Sequence, residues 1–277
     1  MKGEMKKSIL GNLIHNKALK NKEIKKIFKT VFEKGRHKIV KKGDIKIPED
    51  AYEYALIIDK PVPELENIIA QDSGYSYLYA VNILKGRFKK GEDIIARDAE
   101  YSYWYARDVL KGRFKKGENA IAQDPELSYK YARDIIEGRF EKGENVIAQS
   151  PEYSCRYAID VLRGKFEKGE DAIAQEPYRS YRYAKDIIRG KFEKGEDIIA
   201  KYAEYSYWYA KNVIKGRFEE GEDAIAQDVR YSYLYADEVI KGRFRKGENA
   251  IAQNAEYSRL YAEEFNLKVQ FKEKKEV

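Results

Sequence analysis

The residue types that could perform chemistry are few, and their spacing does not suit catalysis. The histidines are His15 and His37, and the single cysteine is Cys155. A serine recurs every 26 residues, at Ser76, Ser102 and onward, but no histidine stands near it to act as a base. No residues have zinc-ligand spacing, and no glycine-rich phosphate loop follows a strand. The sequence therefore predicts no enzyme, no cofactor and no metal site.

A glutamate recurs with the same period, directly after a glycine, at Glu92, Glu118, Glu144 and onward. An arginine or a lysine precedes it by five residues, as in Arg113 and Lys165. A carboxylate at the start of a helix is favoured by the helix dipole. The pattern thus predicts a ladder of ion pairs or hydrogen bonds along the chain. A row of carboxylates that binds metal ions is the sharper alternative.

The period of 26 residues is the main signal in the sequence. The dipeptide Tyr-Ala recurs at Tyr79, Tyr105, Tyr131, Tyr157, Tyr183, Tyr209, Tyr235 and Tyr261, and an earlier Tyr54-Ala55 stands 25 residues before the first. With Tyr101 as position 1, copies 1 to 7 begin at residues 75, 101, 127, 153, 179, 205 and 231, and an incomplete copy 8 begins at 257. Nine positions are identical in all seven copies: serine 2, tyrosine 5, alanine 6, glycine 12, phenylalanine 14, glycine 17, glutamate 18, isoleucine 21 and alanine 22.

Each copy is predicted to form two helices. Positions 2, 5, 6, 9 and 10 have the spacing of one helix face, which predicts helix A from position 25 to position 11 of the next copy. Asp124-Pro125-Glu126 supplies an N-cap, a first-turn proline and a first-turn acid. Gly112 is expected to adopt the left-handed conformation that ends helix A. Helix B is expected over residues 117–123, burying Ile121 and Ala122, with Phe114 buried at the corner.

One copy buries too few large apolar side chains to fold alone, so neighbouring copies must stack. We therefore predict an all-α fold, a right-handed α-solenoid of two-helix 26-residue repeats with atypical capping ends. Residues 1–49 are assigned to a basic N-terminal helical capping region. Residues 50–267 form the solenoid, and residues 268–277 form a charged C-terminal tail.

Charge is distributed unevenly along the chain. The net charge is +7, but residues 1–50 hold 15 Lys and Arg against 6 Asp and Glu. The remainder then holds 54 − 15 = 39 basic and 47 − 6 = 41 acidic residues. A nearly neutral solenoid argues against nucleic-acid binding along most of the chain, while the basic N-terminal region leaves that partner open.

The compartment follows from composition. A single cysteine allows no intrachain disulfide, which suits a reducing compartment. No apolar run approaches the ~20 residues that span a bilayer. The sequence therefore predicts a cytoplasmic protein with no membrane partner.

The pattern YA…GRF..GE.AIA.DPEYSY, as in residues 105–131, resembles tandem repeats that are common in proteins of bacteriophage genomes. The resemblance covers residues 50–264, with segments like YARDVLKGRF and GE-AIA-DPE alternating at the same period. It implies a helical solenoid of phage origin, acting in the host cytoplasm. For such a protein we expect inhibition of a host defence protein. The first 49 residues fall outside the resemblance.

The positions that differ between copies predict the functional surface. Positions 4, 7, 8 and 11 are expected to share the face of helix A opposite the core, and exposed Trp and Arg are typical anchors of protein interfaces. The predicted partner-binding residues on this face are Trp104, Arg107, Lys130, Arg133, Arg156, Arg182, Lys185, Arg189, Trp208 and Lys211.

A plain solvated face is the alternative interpretation. Aspartates stand four residues after three of the cations, as Asp134 after Lys130, so ion pairs within each helix could explain the charges. The tyrosines at positions 1 and 3 have two interpretations as well. They could form a platform that stacks nucleic-acid bases, or they could line the groove between successive helices A.

The first functional hypothesis is therefore a non-catalytic scaffold that binds a protein, as a phage factor that sequesters or blocks a host protein. The second is a nucleic-acid binder that uses the basic N-terminal region and the Arg/Trp face. The third is a structural protein that assembles with its own copies as a homo-oligomer. Salt dependence separates the first two, because nucleic-acid affinity falls steeply with salt.

Overall fold

The computed structural model describes residues 45–267, and over this range it contains helices and turns but no strand. The prediction of an all-α repeat fold is confirmed. The chain forms two compact units, one up to Ile94 and one from Ile95 onward. The predicted tail lies outside the described residues, as does all of the predicted capping region except residues 45–49.

The described part of the first unit begins with the helix Pro48–Ile58, whose proline stands at the N-terminus as the repeat pattern predicts. Val62 replaces the phenylalanine of later copies. It is buried, and its backbone N–H donates to the hydroxyl of Tyr79 over 2.9 Å. The remaining helices of this unit are Glu66–Ile69, Ser73–Tyr79, the π-helix Ala80–Leu84, the 3-10 turn Lys89–Gly91 and Glu92–Ile95.

In the second unit, helix A has an α-helical first half and a π-helical second half in copies 2 to 7. The α-helical segments are Ala99–Trp104, Pro125–Tyr131, Pro151–Arg156, Pro177–Tyr183, Ala203–Tyr209 and Val229–Leu234, and copy 8 adds Ala255–Glu264. The π-helical segments are Tyr105–Leu110, Ala132–Ile136, Tyr157–Leu162, Ala184–Ile188, Ala210–Ile214 and Tyr235–Ile240.

Helix B is shorter than predicted in five of the six copies, the exception being copy 5, where it has seven residues. Its α-helical segments are Glu118–Ile121, Glu144–Ile147, Glu170–Ile173, Glu193–Ile199, Glu222–Ile225 and Glu248–Ile251. A 3-10 turn precedes four of them, at Glu141–Gly143, Glu167–Gly169, Glu219–Gly221 and Arg245–Gly247. Ile121 is fully buried as predicted, but Ala122 is only half-buried because the helix has already ended. Within the second unit each copy contacts the next, so this unit is an α-solenoid.

The end of helix A differs from the prediction. Lys111, not Gly112, adopts the left-handed conformation, with φ 51°, and no described glycine has a positive φ. In the π turn the N–H of Lys111 donates to the carbonyl of Ala106, five residues back, and the N–H of Gly112 donates to the same oxygen over 3.1 Å. The wider turn also rotates positions 9 and 10 off the core face, so Val109 and Leu110 are only half-buried.

The first and last helices of the described residues lack this π turn. Pro48–Ile58 and Ala255–Glu264 are α-helical throughout, and the left-handed residues that follow are Asp59 and Asn266. Asn266 is at position 10 of its copy, one residue earlier than Lys111 in its own copy. The spacing of 25 between Tyr54 and Tyr79 has the same origin, since a π turn inserts one residue into a helix. The ends of the repeat region are therefore atypical, as predicted.

A close approach between the two helices explains two of the identical positions. The hydroxyl of Ser102 donates to the carbonyl of Ile95 over 2.9 Å, and Ser128 and the later serines make the same bond. The backbone of Gly117 packs on that serine, because a Cβ there would lie 2.4 Å from Ser102 Oγ and 2.6 Å from the Phe114 ring. The repeated serine is therefore structural.

Gly117 and Gly112 form a matched pair for testing this packing. Gly117→Ala is expected to lower the free energy of unfolding by about 1–3 kcal/mol, because it overpacks a filled core. Gly112→Ala is expected to change it by less than about 1 kcal/mol, since the nearest atom to a Cβ there lies 3.9 Å away. Urea unfolding followed by circular dichroism measures both. Equal effects from the two variants would show that close approach does not select the glycine at position 17.

Candidate protein-binding surface

In copies 3 to 8, the tyrosine at position 5 joins each copy to the one before it. The buried hydroxyl of Tyr131 accepts from the backbone N–H of Phe114 over 2.8 Å and donates to Glu118 Oε1 over 3.4 Å. Its ring packs edge-on against Phe140, with the centroids 5.1 Å apart. Burial raises the pKa of Tyr131 to about 12, so its hydroxyl keeps the donated proton at neutral pH.

The repeated glutamate forms the predicted ladder. Glu118 is buried, and the guanidinium of Arg113 lies 2.8 Å from its carboxylate. Arg139 and Glu144 repeat the pair at 2.7 Å. Lysines of the following copy add a second contact, as Lys142 does 3.6 Å from Glu118. In each copy where this carboxylate is paired, its role is structural. Among residues 45–267, no cluster of His, Cys, Asp or Glu could hold a metal ion.

The same ladder borders a shallow depression of about 340 Å³, lined by Arg113, Glu118, Arg139, Phe140, Glu141 and Lys142. Its two arginines already pair with the buried glutamates of their own copies. The depression is therefore part of the structural ladder and offers no separate chemistry.

The tyrosines at position 3 line the groove between successive helices A, as the second interpretation predicted. Tyr103 is buried and its hydroxyl donates to Asp134 of the next copy over 2.9 Å. The ring of Tyr129 lies 5.9 Å from that of Tyr153, which is position 1 of the next copy. Position 8 therefore joins neighbouring copies, and its assignment to the outward face was wrong because its side chain reaches back to the preceding tyrosine.

The outward face of helix A consists of positions 4, 7 and 11. Of the predicted binding residues, the exposed ones are Arg133, Arg156, Lys185 and Arg189. The half-buried ones are Trp104, Arg107, Lys130, Arg182, Trp208 and Lys211. We call this set of ten the outward face. It lies in copies 2 to 6, all within the second unit.

The two tryptophans are less exposed than predicted. Trp104 is half-buried against the edge of Tyr101, with the ring centroids 5.4 Å apart. Trp208 is also half-buried, 5.0 Å from the ring of Tyr207, and the Lys211 ammonium lies over it. Each ring lies against a neighbouring aromatic side chain and keeps one part accessible.

Six of the eight cations of the outward face have acidic partners, but mostly not those predicted. Arg182 pairs with Asp186 over 2.6 Å, as the solvated-face interpretation requires. Lys130 pairs instead with Glu126, and Arg156 with Glu152, four residues before them. Arg133 pairs with the adjacent Asp134. Asp134 and Asp160, at position 8, do not pair with Lys130 and Arg156, because their carboxylates accept hydrogen bonds from the tyrosines of the preceding copy.

One place in the second unit departs from the repeat pattern in several positions at once. Position 3 of copy 4 is Cys155 instead of tyrosine, position 26 is Tyr178 where copies 1 to 3 have glutamate, and the following position 1 is Arg179. Position 24 of copy 5 is Tyr202, where a capping residue normally stands. Sequence reasoning missed this place, although comparing positions 24, 26 and 1 between copies would have found it.

These departures are neighbours in space. The rings of Tyr178 and Tyr202 each lie 6.2 Å from that of Tyr205. The guanidinium of Arg179 lies 5.1 Å from the centre of the Tyr178 ring, and Arg182 Nη1 donates to the Tyr178 hydroxyl over 3.3 Å. We call Tyr178, Arg179, Arg182, Tyr202 and Tyr205 the Tyr178 cluster.

Cys155 is buried next to Arg179 of the cluster. It is 1% exposed, and burial raises the pKa of its thiol to about 11. The Sγ atom lies 3.8 Å from the backbone oxygen of Arg179. Cys155 occupies position 3, which is Tyr129 and Tyr181 in the neighbouring copies. The residue of the next copy beside it is Arg179, whereas Tyr129 has the ring of Tyr153 beside it.

The chain was compared with protein-family models, with curated proteins and with solved structures, and none of them matches. None of the helices in residues 45–267 has the length and apolar character needed to cross a membrane.

Proposed function

We propose that this protein is a non-catalytic scaffold that binds another protein through the outward face of copies 2 to 6. One observation carries the proposal. Most core positions are the same in every copy, so any specificity along the solenoid must come from residues that differ, and on helix A the largest of these differences are at positions 4 and 7 of the outward face. Arg and Trp dominate it, and these residue types are enriched at the energetic centres of protein interfaces.

The phage resemblance refines this proposal to a factor that sequesters or inhibits a host defence protein in the cytoplasm. A helical surface without a catalytic group can act only by occupying its partner, and blocking is the simplest effect of occupation. The fully buried Cys155 thiol is compatible with a reducing compartment.

A nucleic-acid partner has support from the 15 basic and 6 acidic residues of the first 50 positions. The outward face itself suits nucleic acid less well. Five of its cations lie beside a carboxylate, which would repel a phosphate backbone. They are Arg107, Lys130, Arg133, Arg156 and Arg182. A protein partner can match such a mosaic of both signs.

Charge reversal of the outward face tests the proposal. The variant Arg156→Glu, Arg182→Glu, Lys185→Glu is expected to lose partner binding, with a change in unfolding free energy of only about 1 kcal/mol, since these side chains are at the surface. Affinity capture from the native host, with quantitative mass spectrometry of wild type against variant, makes the measurement. Trp104→Ala with Trp208→Ala is expected to weaken the same interaction. A protein captured equally by wild type and both variants does not use this face.

A further inference from the structure

The Tyr178 cluster contains the most exposed large apolar side chains of the second unit's described residues. Tyr178 is 40% exposed and Tyr202 48%. Arg179 Nε is the one buried side-chain nitrogen or oxygen in the described residues without a hydrogen bond, with Glu176 Oε2 3.5 Å away. Exposed aromatic rings beside an arginine with an unsatisfied nitrogen are features of a binding surface.

The repeat pattern is broken here at a cost to helix stability. In the other helices A of the second unit a side chain caps the helix, as Asp124 accepts from the N–H of Leu127 over 2.7 Å. The N-caps of the helices Pro177–Tyr183 and Ala203–Tyr209 are Glu176 and Tyr202, and neither makes a side-chain cap bond. Other copies have a capping residue at the same position, for example Asp124 and Asp228. Departures from local structural preference are expected at functional sites.

Charge indicates the class of partner. Copy 5, residues 179–204, has seven Lys and Arg against five Asp and Glu, the most basic copy of the seven. Relative to copies 1 to 3, Tyr178 removes a carboxylate, and Arg179 adds a cation where the other copies have Tyr or Leu. Glu152 lies 3.8 Å from Arg179 and Asp186 lies 2.6 Å from Arg182, which disfavours a continuous chain of phosphates. Spaced carboxylates between apolar side chains fit both the arginines and the rings.

We infer that the Tyr178 cluster is the anchor at which this protein holds an acidic segment of its protein partner. The inference rests on the proposed function and deepens it. Tyr178, Tyr202 and Tyr205 supply rigid apolar area, and Arg179 and Arg182 pair with carboxylates of the segment. The other outward-face residues surround this anchor along the neighbouring copies.

The test restores the repeat pattern at the cluster. The variant Cys155→Tyr, Tyr178→Glu, Arg179→Tyr recreates the tyrosine pair seen between Tyr129 and Tyr153. Its new carboxylate can pair with Arg182, as Glu126 pairs with Lys130. Its melting temperature is expected to equal or exceed that of wild type, so a loss of binding is not a loss of folding. Lys241→Glu, at an exposed position in copy 7, matches the change of two charges and is the control.

The probe is a peptide in which glutamates alternate with leucines and which carries a photoreactive benzophenone, and the cross-linked residues are mapped by mass spectrometry. In the wild-type chain and in Lys241→Glu, we expect cross-links within residues 176–205. In the restored variant we expect about tenfold fewer there, the loss of roughly one anchor residue. Cross-links to the basic residues 1–44 serve as an internal reference. Tyr178→Ala with Tyr202→Ala, both exposed, is expected to give the same loss should the restored variant fold poorly.

Three results overturn the inference. Cross-links confined to residues 1–44 would place the acidic peptide elsewhere. Equal cross-linking of the restored and wild-type chains would show that the departures do not bind it. Stronger competition by oligo-thymidine than by the same glutamate-leucine peptide without the benzophenone would assign the cluster to nucleic acid. If the restored variant still captures the host partner and the outward-face reversal does not, the proposed function stands and this inference alone fails.

Discussion

Tyr131→Ala is expected to lower the free energy of unfolding by about 3–5 kcal/mol, the range for truncating a buried aromatic side chain. The ring is fully buried against Phe140. The hydroxyl also joins two copies through Phe114 and Glu118, and its removal leaves the buried Glu118 carboxylate with one donor fewer. Thermal and urea unfolding followed by circular dichroism measure the effect.

Tyr131→Phe separates the ring from the hydroxyl. It keeps the packing and removes only the hydrogen bonds, so a loss of about 1–2 kcal/mol is expected. Unchanged melting of Tyr131→Ala together with lost partner binding would contradict the structural role of this tyrosine and place it on the functional surface.

Removing one whole repeat is expected to leave a shorter folded solenoid. Deleting residues 127–152 joins position 26 of copy 2 to position 1 of copy 4, so every contact between neighbouring copies can re-form. Deleting only residues 127–139 removes a helix A, including its π turn and left-handed Glu137, and places two helices B in succession. That variant is expected to aggregate, because the exposed cores on either side have no matching surface.

Thermal melting and light scattering of the two deletion variants make the comparison. The expected result is a soluble, cooperatively melting protein from the 26-residue deletion and precipitation or loss of helix signal from the other. If the two deletions behave alike, stacking of identical units does not hold this fold together.

The period of the sequence predicts much of this fold, because a motif that repeats in register must be one structural unit. The serine, the glycine at position 17 and the glutamate ladder follow from the same logic. The π turn could not be predicted from the repeat itself, since a one-residue insertion present in all seven full copies leaves no gap to compare. Only the spacing of 25 before Tyr79 carried that signal.

The left-handed Lys111 was missed because glycine is the usual residue at that conformation, and Gly112 stands beside it. The partners of the cations were missed because neighbours along one helix were considered without the preceding copy. The Tyr103 hydroxyl donates a hydrogen bond to Asp134 across the groove, and this contact is visible only in the stacked structure. The Tyr178 cluster was not predicted because its substitutions are at positions 24, 26 and 1, whereas the predicted surface was derived from positions 4 and 7.

The most direct test of the account compares two charge-reversal variants of the full chain for binding to the protein captured from the native host. One is Arg156→Glu, Arg182→Glu, Lys185→Glu on the outward face. The other is Lys25→Glu, Lys26→Glu, Lys29→Glu in the basic N-terminal region. The account predicts that the first abolishes binding and the second leaves it nearly unchanged. Loss of binding in the second variant alone would make the solenoid a spacer and the N-terminal region the binding part.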